Sequence, residues 1–185
     1  MQLNRLTPPA DNQSNRYWGM VREAQRQAAK QIYNVYVIPA SDCTLSDLIH
    51  NSSAANVVIG ERLSKIALNN IYGRNIMSKA PDLVEAKMIE KDKIILTFEN
   101  VYNRLYYYDI GVENLSIAVE DEDGFVTLKS YEVSDVNKIA ITLCRKLKNK
   151  SMVHGAYEQN PKGMIPIDYA THLPILSFYG IKIKY

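Results

Sequence analysis

The sequence is short of the residues that most often announce a mechanism. It has two cysteines, Cys43 and Cys144, far apart and without metal-ligand spacing, and they read as unpaired thiols rather than as a disulfide. Its three histidines, His50, His154 and His172, are scattered, so no histidine-based metal cluster emerges. Charge of one sign is lacking as well. A net charge of +2 gives no pull toward nucleic acid, and the one basic cluster, Arg145-Lys146-Leu147-Lys148-Asn149-Lys150, reads as a solvated loop. No apolar run approaches a membrane span. The opening residues run into Pro8-Pro9 without the hydrophobic segment of a signal sequence. A leader further upstream would escape this reading, so the compartment stays open between periplasmic or secreted and cytoplasmic.

What is present fits a globular chain. Its 185 residues are 46% hydrophobic and 23% charged, enough for one ordinary core or two small ones. Tyrosine replaces phenylalanine, thirteen against three, which suits exposed β faces and sugar-stacking surfaces alike.

After a polar stretch over 1–15, Trp18, Val21, Ala24, Ala28 and Ile32 recur at helical spacing, with Arg22, Glu23, Arg26 and Lys30 largely on the other side. The spacing predicts a helix over 16–31. Ile32-Tyr33-Asn34-Val35-Tyr36-Val37-Ile38 follows and is ended by Pro39; so short and continuous an apolar run suits a strand covered on both faces, as in a parallel sheet. A polar loop spans 40–52. Ser52 or Ser53 then caps a helix over 54–72, with a stripe of Ile59, Leu63, Ile66, Ala67 and Ile71 and Gly73 as its stop. Helix, strand, loop, helix is the order of an open α/β sheet, whose sites lie at the carboxyl ends of strands.

Ala80-Pro81 marks a boundary between a unit at 1–79 and a β-rich unit at 80–185. Val84–Ile89 and Lys93–Phe98 flank a turn at 90–92. Leu115–Val119 and Phe125–Leu128 flank the acidic turn Glu120-Asp121-Glu122-Asp123-Gly124, which reads as a hairpin turn rather than a calcium loop. Ile139–Leu143, Met152–Tyr157 and Leu176–Lys184 alternate in the same way, and strands at such spacing predict a β-sandwich. Tyr106-Tyr107-Tyr108 is either a sugar-stacking platform or a set of rings alternating between core and surface.

The chemistry rests on Asp47 and His50, an acid and an imidazole three residues apart in the loop between strand and helix. Asp47 can accept the imidazole Nδ1–H, which fixes the tautomer and leaves Nε2 to take a proton from a hydroxyl. This is the base-and-orienter portion of a nucleophilic apparatus, and the nucleophile must come from elsewhere. Ser14, in Asn12-Gln13-Ser14-Asn15, is a poor candidate: no apolar strand precedes it, and it reads as a loop or cap serine.

Asp47-x-x-His50 followed by Val58-Ile59-Gly60-Glu61-Arg62-Leu63-Ser64-Lys65-Ile66-Ala67-Leu68 and Ile71-Tyr72-Gly73 resembles the final block of SGNH-type hydrolases, and more narrowly the sialate O-acetylesterase group of carbohydrate esterases. Arg22-Glu23-Ala24-Gln25 is similar to a helix of that group. The resemblance implies the last helix, strand and helix of an SGNH-like parallel sheet followed by an all-β domain. It also implies Asp47 as catalytic acid and His50 as general base, an O-acetylated carbohydrate as substrate of the intact enzyme, and no metal or organic cofactor. Three features depart from the pattern. Asn51 stands where relatives often have proline, the Gly-(Asp/Gln)-Ser nucleophile block has no counterpart, and the glycine and asparagine blocks of the oxyanion hole are absent. The chain by itself is therefore expected to be inactive, and to cover its orphaned sheet edge by forming a homodimer or by pairing with the N-terminal half of the enzyme. The other reading is a non-catalytic β module that binds a glycan or a partner protein.

Overall fold

The computed structural model describes residues 1–107 and 111–185. Two helices come first, α1 (Asn12–Gln31) and α2 (Ser53–Asn70). Asp11 caps α1 by accepting the Ser14 N–H at 2.7 Å, so the helix starts before the expected residue 16 and Ser14 lies in its first turn.

The register of α1 is the reverse of the expected one. Gly19, Arg22 and Arg26 are buried, while Tyr17, Met20 and Val21 face outward. The Arg22 guanidinium explains the reversal: it donates to the carbonyl oxygens of Leu3, Asn4, Ala156, Tyr157 and Glu158. Bonds from a charged donor contribute roughly 1.5–3 kcal/mol each, so five acceptors outweigh a desolvation penalty of several kcal/mol. Burial pulls the Arg22 pKa down to about 10. One helical turn on, Arg26 bonds Asp82 and the Leu83 carbonyl, and pairs with Glu23 at 2.9 Å. Arg22 satisfies carbonyls of the loops at 3–4 and 156–158 and Arg26 reaches the start of β1, and the helix turns its charged side inward to reach them.

Helix α2 is capped by Ser52, which accepts the Ala55 N–H. Ala55, Ile59, Arg62 and Ile66 form its buried stripe, whereas Leu63 and Ile71 are exposed. Gly73 ends it as expected: at φ +65° the chain folds back and the Arg74 N–H donates to the Leu68 carbonyl at 2.8 Å. Between the helices, residues 32–38 form no ladder. Asn34 takes φ +61° in a turn, Ile32, Tyr33, Val35 and Tyr36 are exposed, and the Ile38 carbonyl accepts the Gln2 N–H at 2.8 Å. A parallel strand exists only beside a neighbour. No described segment supplies one, and every laddered strand pair of the structure is antiparallel.

From Asp82 onward the chain is β. One sheet runs β1 (Asp82–Glu90), β2 (Lys93–Glu99), β7 (Lys138–Leu143) and β6 (Leu128–Asp135); the other runs β10 (Phe178–Lys182), β8 (Met152–Gly155), β4 (Ile117–Asp121) and β5 (Gly124–Val126). A two-residue pair, β3 (Leu105–Tyr106) with β9 (Ile167–Asp168), closes one end. Ile94, Leu96, Phe98, Ile139 and Ile141 of the first sheet meet Ile117, Val119, Val153 and Phe178 of the second in one buried core. Each such side chain contributes about 1.5–3 kcal/mol, which makes this sandwich the main store of stability. Strand β6 escaped the sequence pattern because none of its residues is fully buried.

Gly124 takes φ +103° in the acidic turn. Asp121 and Asp123 are there engaged by Arg145 and Lys148, each at 2.5 Å, so acidic turn and basic loop neutralise each other.

Helix α1 lies on the outer face of the second sheet. Side chains alternate along a strand, so Glu120, His154 and Tyr179 point away from the core that holds Val119, Val153 and Phe178. Arg16 reaches Glu120 at 2.6 Å and the Tyr179 hydroxyl at 3.0 Å. Gly19 permits the approach: a Cβ there would sit 2.7 Å from the Tyr179 ring.

Candidate functional site

The site loop grows out of a small core of its own, in which Ile38, Ala40 and Cys43 pack on Ala55, Ile59 and Ile66 of α2. Arg62 sits in the same helical stripe and clamps the strap from beneath. It donates to the Pro39 carbonyl at 2.9 Å and forks onto Asp42 at 2.8 and 2.5 Å. Sequence reasoning quoted Arg62 without giving it a role. The signal was its spacing: an arginine in step with Ala55, Ile59 and Ile66 must face the core and find acceptors there.

Beyond the strap, residues 44–52 close into a narrow loop. Leu45 bridges Asn51, the Ser46 N–H donates to the His50 carbonyl at 2.8 Å, and the Ser52 N–H donates to the Thr44 carbonyl at 3.0 Å. The N-terminal residues brace it from outside, the Thr7 N–H to the Leu48 carbonyl at 2.9 Å and the Asn4 amide to Asn51 Oδ1 at 2.5 Å. Asn51 thus anchors the loop through its side chain.

At the head of this loop the structure brings Asp47 and His50 together. Asp47 Oδ1 accepts the N–H groups of Ile49 and His50 at 2.9 and 2.8 Å, and Oδ2 lies 2.8 Å from His50 Nδ1. The two backbone donors, and then the imidazole, hold the Asp47 carboxyl down to about 2. An ionised carboxylate can only accept, so Nδ1 carries the proton and Nε2 presents its lone pair. The His50 side chain is 78% exposed and that of Asp47 54%, which leaves Nε2 open to anything placed before it. Such a pair can withdraw a proton from a hydroxyl and hold the resulting imidazolium.

The remaining candidates lie elsewhere. Ser14 belongs to the first turn of α1. His154 is buried in the second sheet, where Nδ1 accepts the Gly180 N–H at 3.0 Å and Nε2 faces Glu120 at 3.3 Å; burial lowers its pKa to about 4. His172 takes φ +55° in a loop held by the buried Asp168, which accepts from Tyr102, Asn103 and Thr171. Tyr106 packs edge-on against Tyr169 at 5.6 Å and Tyr107 against Tyr131 at 4.5 Å, while Tyr108 lies outside the described residues. Cys43 and Cys144 are both free thiols. Among the described residues no group of three or more His, Cys, Asp or Glu could hold a metal ion, and no helix is long and apolar enough to cross a membrane.

No family model and no curated protein sequence matches the chain. Among solved structures, a carbohydrate acetylesterase from Xanthomonas citri has the same fold over 96% of this chain, with a TM-score of 0.72 at 19% sequence identity. A bacterial surface layer protein, SbsC, gives a TM-score of only 0.45 at 12% identity over 90% of this chain and 19% of its own, too low to carry an argument. This chain spans 39% of the length of the Xanthomonas protein, and the likeness is one of fold.

Proposed function

We propose that this chain is the C-terminal part of a carbohydrate O-acetylesterase of the SGNH type, similar to the sialate O-acetylesterase group, with Asp47 and His50 as its acid–base pair. The observation that carries the reading is the 2.8 Å contact between Asp47 Oδ2 and His50 Nδ1, with Nε2 facing solvent. The fold it shares with a carbohydrate acetylesterase supports the same reading. In it, residues 1–79 are the end of a hydrolase α/β layer, 32–38 is its last parallel strand, and 80–185 is the β companion.

The serine and the oxyanion donors come from outside residues 1–185. Serine oxygen attacks the acetyl carbonyl as its proton passes to His50 Nε2. The imidazolium, held by Asp47, returns that proton to the sugar oxygen as the ester C–O bond breaks. Nε2 then takes a proton from water attacking the acyl-serine and hands it to the serine oxygen as the acyl C–O bond breaks, leaving acetate and free serine. Asp47, with its carboxyl near 2, stays ionised at any pH at which an imidazole can act as base.

Joining residues 1–185 to the part of the Xanthomonas acetylesterase outside the match tests this. The fusion should hydrolyse p-nitrophenyl acetate and an O-acetylated sugar. Asp47→Asn should slow it on the order of ten-thousandfold and His50→Ala at least as much. A fusion that melts cooperatively yet hydrolyses nothing, or one indifferent to both changes, overturns the reading. The chain alone should show no His50-dependent turnover, since loss of the nucleophile costs on the order of a millionfold.

A further inference from the structure

The loop that carries Asp47 and His50 has little of its own to stand on. Its head, residues 46–50, is exposed throughout, so no core side chain fixes where the pair points. Among the described residues, the hydrogen bonds that tie 45–51 to the chain outside the loop come from the N-terminal strap at 3–8. Thr7 donates to the Leu48 carbonyl through its N–H at 2.9 Å and its hydroxyl at 3.3 Å, and the Asn4 amide donates to Asn51 Oδ1. Leu48 lies between the two residues of the pair. What holds Thr7 therefore holds the pair.

Thr7 is held from the β unit. Gln159 lies in the connection between β8 and β9 and is 6% exposed. Its side-chain Nε2 donates to the Leu6 carbonyl at 3.2 Å and to the Pro8 carbonyl at 2.9 Å, the two carbonyls that flank Thr7. Only the NH2 end of an amide can face two carbonyl oxygens, so both of its hydrogens are spent on the strap. The Gln159 carbonyl also accepts the Leu6 N–H at 3.1 Å, and its own N–H is fixed by Asn15 Oδ1 at 2.9 Å. Arg22 adds a second staple, bonding strap carbonyls at 3 and 4 and those of the same connection at 156–158. Pro8 and Pro9 stiffen the strap just beyond Thr7.

We propose that Gln159 is a positioning residue: through the bracket it forms around Thr7, the β unit sets where the Asp47–His50 pair stands. The inference rests on the esterase reading for what the pair does, and it gives the β unit a part in catalysis without touching substrate. A buried amide must satisfy its donors, and many acceptors would serve. Both acceptors of Gln159 flank the one residue that grips Leu48. The internal geometry of the pair does not depend on this bracket, because Asp47 is held by N–H groups of its own turn. The placement of Nε2 relative to a serine brought from outside the chain does depend on it. A displacement of about 1 Å at a reacting atom costs on the order of a hundredfold in rate.

Gln159→Glu is the test, because a carboxylate keeps the size of the side chain and has nothing to donate to two carbonyls. In the isolated chain the Thr7 amide should exchange at least roughly tenfold faster, and Leu48–His50 should gain backbone motion, with unfolding still cooperative. In the fusion, kcat for p-nitrophenyl acetate should fall on the order of a hundredfold while the pH midpoint of the His50 limb stays in place. Thr7→Pro, at an exposed position, removes the N–H that grips Leu48 and should cost a similar factor; it carries the same test should the glutamate variant not fold. The two changes together should lose no more than either alone, since they break one link. Gly19→Val loosens α1 elsewhere and is the control for general destabilisation; it should leave kcat alone. Losses that add, a loss reproduced by Gly19→Val, a shifted pH midpoint, or a loop unmoved in Gln159→Glu would each overturn the positioning role. The two readings fail differently. A native fusion without His50-dependent hydrolysis overturns the esterase, and Thr7 exchange with Leu48–His50 motion still decides whether Gln159 places the loop. A native fusion that hydrolyses through His50 and is indifferent to Gln159→Glu keeps the esterase and overturns the positioning.

Discussion

Two histidines of this chain sit in opposite surroundings. His50 stands in solvent with one carboxylate to orient it, while His154 is enclosed by Tyr157 and Tyr179 and faces Glu120, itself held by Arg16. Burial depresses the folded pKa of His154 to about 4, from 6.5 when exposed. Between those values the unfolded chain binds the proton and the folded one does not, so stability falls as pH is lowered from 6.5 toward 4. The full loss is about 3 kcal/mol. Glu120, pulled down by Arg16, adds a loss in the same direction as pH drops through its own lowered pKa. Urea midpoints at pH 7 and pH 4.5 should show a larger drop in the native chain than in His154→Gln, and equal drops would clear His154 of the effect. Asp47 and His50 were legible in the sequence because the pair is local: three residues fix its geometry, and the backbone N–H groups that hold Asp47 come from the same turn. Arg62 and Arg22 were not given their roles. Their acceptors lie across the chain, at Pro39 and Asp42 for one and at 156–158 for the other.

At the scale of the element, the hairpins β1–β2 and β4–β5 stood where turn residues and alternation put them, since both signals are local to the strands concerned. Helix α1 was found but faced wrongly. Periodicity locates an amphipathic helix and says nothing of which side is turned inward when a buried arginine has five carbonyls to satisfy. The run 32–38 carries the composition of a covered strand without the neighbour that would make it one. Gly19 marks the tightest contact of α1. A valine there gains a few tenths of a kcal/mol in helix propensity and drives its Cβ into a ring 2.7 Å away, which costs about 1–3 kcal/mol. Gly19→Val should therefore lower the melting temperature, and pairing it with Tyr179→Ala should recover part of the loss. A valine variant as stable as the native chain would mean that α1 and β10 can separate without penalty.

Across the whole molecule, stability and exposed apolar surface are divided between different places. The sandwich core and the arginine-stapled underside of α1 hold the fold, while the outer stripe of α1 and residues 32–36 contribute area to solvent and little to folding. A substitution on that outer face should thus change association and leave stability alone. Val21→Ser, Tyr33→Ser and Tyr36→Ser together should keep the urea midpoint, because exposed positions away from caps and cores shift stability by no more than about 0.5 kcal/mol each. The same variant should bind less of an apolar dye and sediment with less self-association than the native chain, since the patch that recruits both has been broken up. If those residues were packed within the isolated chain, the triple change would instead behave as a core truncation, each site costing about 2–5 kcal/mol, and would unfold a domain of this size. The midpoint and the dye signal together therefore report whether this face belongs to the fold or to a partner.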